Sequence, residues 1–89
     1  MPRVFFTRQL ERFLAAPTVE VAGATLGDAL AAVFRANPQL KGYVLDDQGA
    51  LRRHVAVFVN GRPVADRKGL TDPIGADEEI HVFQALSGG

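Results

Sequence analysis

Apolar positions recur along the chain at two different periods, and each period predicts one kind of element. Val55, Val57 and Val59 alternate with Ala56 and Phe58 and run into Asn60-Gly61. Both turn residues tolerate the positive φ of a tight hairpin, so Val55 to Val59 is predicted as a strand. Ile80 to Ala85 is predicted as a last strand. Val4-Phe5-Phe6-Thr7 and Thr18-Val19-Glu20-Val21 are predicted as an opening pair, joined through Gln9 to Ala16. Between these segments the period changes: Leu26, Ala29, Leu30, Val33 and Phe34 recur at helical spacing. Thr25 stands at the N-cap position, Asp28 follows at the capping-box spacing, and Asn37-Pro38 ends the helix because the residue before proline is pushed out of the helical region.

The remaining segments are read from turn chemistry. Tyr43-Val44-Leu45 is predicted as a short strand and Asp46-Asp47-Gln48-Gly49 as a turn. Arg62 to Glu79, interrupted by Pro63, Gly69, Pro73 and Gly75, is read as loops around one short strand or turn. Strand, strand, helix, strand, strand makes an α+β protein with the helix on one face of a mixed sheet. If Val55, Val57, Val59, Ile80 and Val82 face the helix, then Phe58, His81 and Phe83 point the other way. Two phenylalanines on an open sheet face form a candidate docking patch for a partner. The same alternation also permits the reverse, with phenylalanines in the core and valines partly exposed.

Composition narrows the chemistry. Eighty-nine residues allow one domain with one core, and the 47% hydrophobic and 22% charged content is that of a folding chain. Ten basic and ten acidic residues give a net charge of zero, so there is no overall positive field for nucleic acid or an anionic membrane, and neither is expected as a partner. There is no cysteine, which excludes disulfides, thiolate metal sites, cysteine-ligated iron–sulfur clusters and a cysteine nucleophile. Any sulfur chemistry must use sulfur brought from outside. The opening residues lack the pattern of a signal peptide and no apolar run approaches the ~20 residues of a membrane span, so a cytoplasmic protein is expected.

Several residues invite chemistry that their surroundings do not support. His54 and His81 have no nucleophile or orienting group beside them in sequence and are read as solvent-facing or packing residues. Asp46-Asp47 and Asp77-Glu78-Glu79 match no EF-hand loop, and no metal is expected. Arg52, Arg53, Arg62, Arg67 and Lys68 are either ordinary loop charge or a basic side that meets an acidic partner or a phosphate.

The sequence closes on Leu86-Ser87-Gly88-Gly89. Two glycines add no bulk and accept φ values denied to other residues, so a narrow channel can grip the backbone while the carboxylate advances. In isolation the dipeptide is equally a frayed end. From Leu51 onward, however, the chain resembles the small sulfur carriers of the thiamine, molybdopterin and cysteine pathways. The resemblance lies in Val55-Ala56-Val57-Phe58-Val59-Asn60-Gly61, in the loop Gly69 to Asp77 with Leu70, and in Glu79 through Gly89. Thr25-Leu26-Gly27-Asp28-Ala29-Leu30 is similar to the family's helix start. The family often has proline where this chain has Gln84 or Ala85, and its Gly-Asp turn before the last strand is here Ala76-Asp77. The length and the Asp46 to Arg53 insertion are most like the longer, cysteine-pathway type.

That resemblance implies a β-grasp, ubiquitin-like domain over 1–85, with four to five strands and one main helix, and a flexible extended tail over 86–89. It implies that the Gly89 carboxylate is adenylated by an E1-like, ATP-using enzyme and becomes a thiocarboxylate, with Leu86, Ser87 and Gly88 in the partner's channel. The sulfur would come from a donor protein or sulfide and pass to an accepting synthase. With no P-loop or nucleotide-binding glycine motif of its own, the chain is expected to be a substrate protein with no bound cofactor rather than an enzyme. Because Gly-Gly already closes the sequence, no maturation step is expected. Two other roles share this design: a ubiquitin-like modifier conjugated to lysines through Gly89, and the small subunit of a molybdopterin-synthase-like complex.

Overall fold

The computed structural model describes residues 1–6 and 18–84 of the chain. Five strands form one sheet: β1 (Arg3–Phe6), β2 (Thr18–Glu20), β3 (Val55–Val59), β4 (Arg62–Pro63) and β5 (Glu79–Gln84), in the order β2-β1-β5-β3-β4. β1 and β5 run parallel at the centre and every other neighbouring pair is antiparallel. Among the described residues two helices, α1 (Leu26–Ala36) and α2 (Pro38–Val44), pack with the sheet. This is the α+β architecture expected. Thr7, the Gln9 to Ala16 connection and Ala85 lie outside the described residues.

Local chemistry accounts for the boundaries. Asn60 and Gly61 adopt φ of 48° and 82°, which turns β3 into β4 over two residues and places Val59 opposite Arg62. β3 spans the five residues expected. At the start of α1, the Thr25 hydroxyl accepts from the Asp28 N–H at 3.2 Å and the Thr25 carbonyl from the Ala29 N–H at 3.0 Å. The two remaining first-turn donors, Leu26 and Gly27, reach the Asp72 and Leu70 carbonyls at 2.9 Å each. All four first-turn N–H groups are thereby satisfied within the protein.

One expectation is corrected. Tyr43 and Val44 are helical, and only Leu45 is extended, in a single bridge to Leu51. Pro38 does end α1, but it also sits at the first turn of α2, where its fixed φ suits a helix and its missing N–H is no loss. Leu40 and Val44, four residues apart, bury one face of α2. The Asp46 to Arg53 insertion folds back from there: the Asp46 carboxylate accepts from the Gln48 and Ala50 N–H groups, and Leu45 and Leu51 both enter the core.

The core lies between the helices and one face of the sheet. Val4, Val55, Val57, Val59, Ile80 and Val82 meet Leu26, Ala29, Leu30, Val33 and Phe34 in one cluster. Each such aliphatic side chain taken fully from water contributes about 1.5–3 kcal/mol before entropy is counted.

Candidate functional site

Among the described residues the other face of the sheet carries no helix, and it is here that Phe5, Phe58, His81 and Phe83 stand. Alternation along β3 and β5 buries Val57 and Val82 to 1% exposure and turns Phe58, His81 and Phe83 outward, Phe83 being 43% exposed. The outward residues touch one another. The Phe58 and Phe83 rings meet edge to face at 5.6 Å, and the His81 and Phe83 rings lie nearly parallel at 6.2 Å. Phe58, Gly61, His81 and Phe83 line a shallow apolar depression of about 410 Å³. Such a depression on an exposed face has the form of a seat for an apolar side chain of another molecule.

Phe5 also belongs to this face, and sequence reasoning did not single it out. Its ring stacks on His81 at 4.7 Å with the planes 8° apart, because parallel pairing of β1 and β5 sets Phe5 beside His81. The run Val4-Phe5-Phe6 is apolar throughout, so alternation cannot say which phenylalanine faces the helices. The neighbouring strand decides it: Phe6 is buried and Phe5 is not.

Charge is distributed unevenly about this face. At the end where β5 begins, Arg3 pairs with Glu79 at 2.7 Å and Arg62 with Glu78 at 3.4 Å. These are the two ion pairs among the described residues. At the opposite end β5 finishes at Gln84, opposite Val55, and the chain runs on toward Gly89. Arg52, Arg53 and His54 immediately precede Val55. Arg67 joins them there, its guanidinium donating to the carbonyls of Arg52 at 2.8 Å and Val55 at 2.6 Å. Of the five basic residues read as one possible side, the fold therefore gathers Arg52, Arg53, Arg67 and Lys68 and sends Arg62 to the far end.

The acidic residues of the 64–75 loop are structural. The Asp66 carboxyl is lowered to about 2, first by the Thr71 hydroxyl at 2.6 Å and then by the Gly69 N–H at 2.8 Å. The Asp72 carboxyl is also lowered, by the Ala65 and then the Asp66 N–H groups. Together they fix the loop whose carbonyls cap α1. No group of three or more His, Asp or Glu side chains among the described residues could hold a metal ion. Nor is any described helix long and apolar enough to cross a membrane. Leu86, Ser87, Gly88 and Gly89, the tail positions singled out in the sequence, lie outside the described residues.

A five-stranded mixed sheet with helices on one face and its last strand leading into Gly-Gly defines the class of β-grasp carriers and modifiers. The comparisons agree and make the family definite: residues 5–89 match the model of the ThiS family, and the chain belongs to it. It is 40% identical over 72 residues to small archaeal modifier protein 1 of Haloferax volcanii, covering 80% of this chain and 78% of that one. The crystal structure of that organism's SAMP1 matches with a TM-score of 0.81 and 34% identity over 99% of this chain and 98% of the other. A chain of the Amycolatopsis orientalis BexX/CysO complex superposes with a TM-score of 0.88 over the whole of both chains, at 22% identity, a likeness of fold. Proteins of this class are small carriers and modifiers that act with partner enzymes and are not enzymes themselves.

Proposed function

We propose that this chain is a cytoplasmic sulfur carrier whose working group is the Gly89 carboxylate. The observation that carries the reading is the family match, which extends from residue 5 to residue 89. The aromatic face of β3 and β5, which ends where the tail begins, is consistent with it.

A carboxylate is a poor electrophile at neutral pH, so activation falls to an E1-like, ATP-using enzyme. Gly89 attacks the α-phosphorus of ATP, pyrophosphate leaves, and an acyl-adenylate forms. Sulfide, free or from a donor protein, then adds to the acyl carbon and AMP departs, leaving a thiocarboxylate in which sulfur has replaced one oxygen. In an accepting synthase the thiocarboxylate sulfur attacks a small-molecule acceptor and displaces its leaving group. Water then cleaves the acyl C–S bond, so that the sulfur stays on the acceptor and the chain returns to the carboxylate. The protein is thus a macromolecular group carrier, comparable to a carrier cofactor. Five residues beyond Gln84 extend roughly 17 Å at most. Leu86, Ser87 and Gly88 occupy the partner's channel while Phe58, His81 and Phe83 dock on its surface. Intact mass of the chain after incubation with its activating enzyme, ATP and sulfide tests the reading. It should rise by the difference between sulfur and oxygen, and no rise, with or without an observed adenylate, removes the carrier role.

A second reading has its own observation, the 40% identity to a protein named as a modifier. There the same acyl-adenylate is attacked by a lysine amine, AMP leaves, and an isopeptide bond joins Gly89 to the target. High-mass conjugates that resist thiols and vanish on deletion of Gly88-Gly89 would select it.

A further inference from the structure

We infer that Arg53 and Lys68, with the free part of the Arg52 guanidinium, form a basic collar around the base of the tail that docks against an acidic rim on the activating enzyme. This rests on the activation step proposed above and adds to it a surface distinct from the aromatic patch.

The inference starts from an asymmetry in a chain of zero net charge. At the end of the sheet where β5 begins, both flanking cations, Arg3 and Arg62, are held in ion pairs. At the tail end none is. Arg53 and Lys68 are exposed and have no ion pair, and Arg52 commits only its Nε, to the Gly42 carbonyl at 2.8 Å. Arg67 is the exception, since its guanidinium is turned inward on two carbonyls. That staple has a second effect. It ties the 67–68 turn to the start of β3, and the Leu51 N–H donating to the Arg67 carbonyl at 2.9 Å ties it to the insertion. Two loops distant in sequence thereby present their free cations at the end of the sheet from which the tail departs.

The placement selects the partner's chemistry. Unpaired surface cations at one end of a protein of zero net charge leave the remainder net negative. This charge separation orients the chain in the field of an acidic surface, raising the rate of productive encounter with the tail foremost. No Asp, Glu, Lys or Arg lines the aromatic depression, which offers mainly apolar contact and little to set direction. The collar supplies the direction. A nucleotide phosphate is the competing occupant, and the test separates it from an acidic protein surface.

The full chain is titrated into its activating enzyme without nucleotide, at low and at physiological salt. Reversing two charges, R53E with K68E, should raise Kd about tenfold at low salt, with the difference shrinking as salt screens it. The milder pair R53Q and K68Q should shift Kd in the same direction by less, guarding against damage to the fold. R35E, on α1, should change nothing. Unchanged Kd and salt dependence in the double variants overturns the collar while leaving adenylation intact. A raised KM for ATP with unchanged nucleotide-free binding also overturns it, assigning the cations to phosphate. If the unaltered chain is never adenylated at Gly89, the carrier reading falls and takes the collar with it.

Discussion

The two faces of the sheet use the same strands and the same alternation, yet they are built for different ends. On the covered face, Val4, Val55, Val57, Ile80 and Val82 are each no more than 1% exposed and pack against the helices. On the open face, Phe5, Phe58, His81 and Phe83 pack mainly on one another across the strands. Aliphatic side chains against a helix hold the fold. Aromatic side chains facing water gain less for folding, which leaves them available for the docking role proposed above.

That contrast breaks most directly at Ile80. Ile80→Ala removes a fully buried side chain and leaves a cavity, so it should destabilise the domain by about 2–5 kcal/mol in urea or thermal unfolding. Phe83→Asp, three residues along the same strand, should leave the midpoint nearly unchanged and weaken binding of the activating enzyme by about tenfold or more. If Phe83→Asp unfolds the domain instead, the two faces do not divide labour as argued.

Gly23 sharpens the comparison from the covered side. A Cβ there would stand 2.7 Å from the Ala29 backbone nitrogen, and α1 cannot yield without disturbing its packing. Gly23→Ala should therefore destabilise by about 1–3 kcal/mol, read as a lowered unfolding midpoint without loss of helix signal at low temperature.

Acid should act through the loop that caps α1. The Asp66 carboxyl lies at about 2 in the fold against an ordinary value of 3.8. Its stabilising effect is therefore fully present above the ordinary value and is lost as pH falls through about 2. Asp66→Asn should narrow the stability gap to the unaltered protein as pH is lowered from 6 toward 2. A gap that stays constant would show that the Thr71 and Gly69 bonds do not depend on the charge. The smallest effect is expected at Arg3, whose pair with Glu79 is exposed on both sides. Arg3→Ala should change stability by no more than about 1 kcal/mol, and less in high salt.

Much of this arrangement was legible beforehand, but unevenly. β3, its Asn60-Gly61 turn and the start of α1 follow from short-range chemistry: β-branched alternation, positive φ, and a hydroxyl one residue before a helix. Tyr43-Val44-Leu45 misled because its β-branched and aromatic content favours a strand. Leu40 and Val44, spaced for a helix and buried beneath it, outweighed that preference. Leu70 could not be anticipated either. A leucine at φ 57° is uncommon, and it persists because its side chain is buried and its carbonyl caps Gly27.

The sequence alone determined the α+β class, the alternation along β3 and β5 though not which of its faces is covered, the absence of cysteine chemistry, and the resemblance on which the reading of Gly89 rests. These depend on residue identity and spacings of two to four positions, which the chain expresses without knowing its neighbours. Only the tertiary structure decided that Phe5 joins His81, that Arg62 parts from Arg52, Arg53 and Lys68, and that a distant loop caps α1. Each depends on pairing between segments far apart in sequence, and strand register and loop closure are fixed by the packed core as a whole.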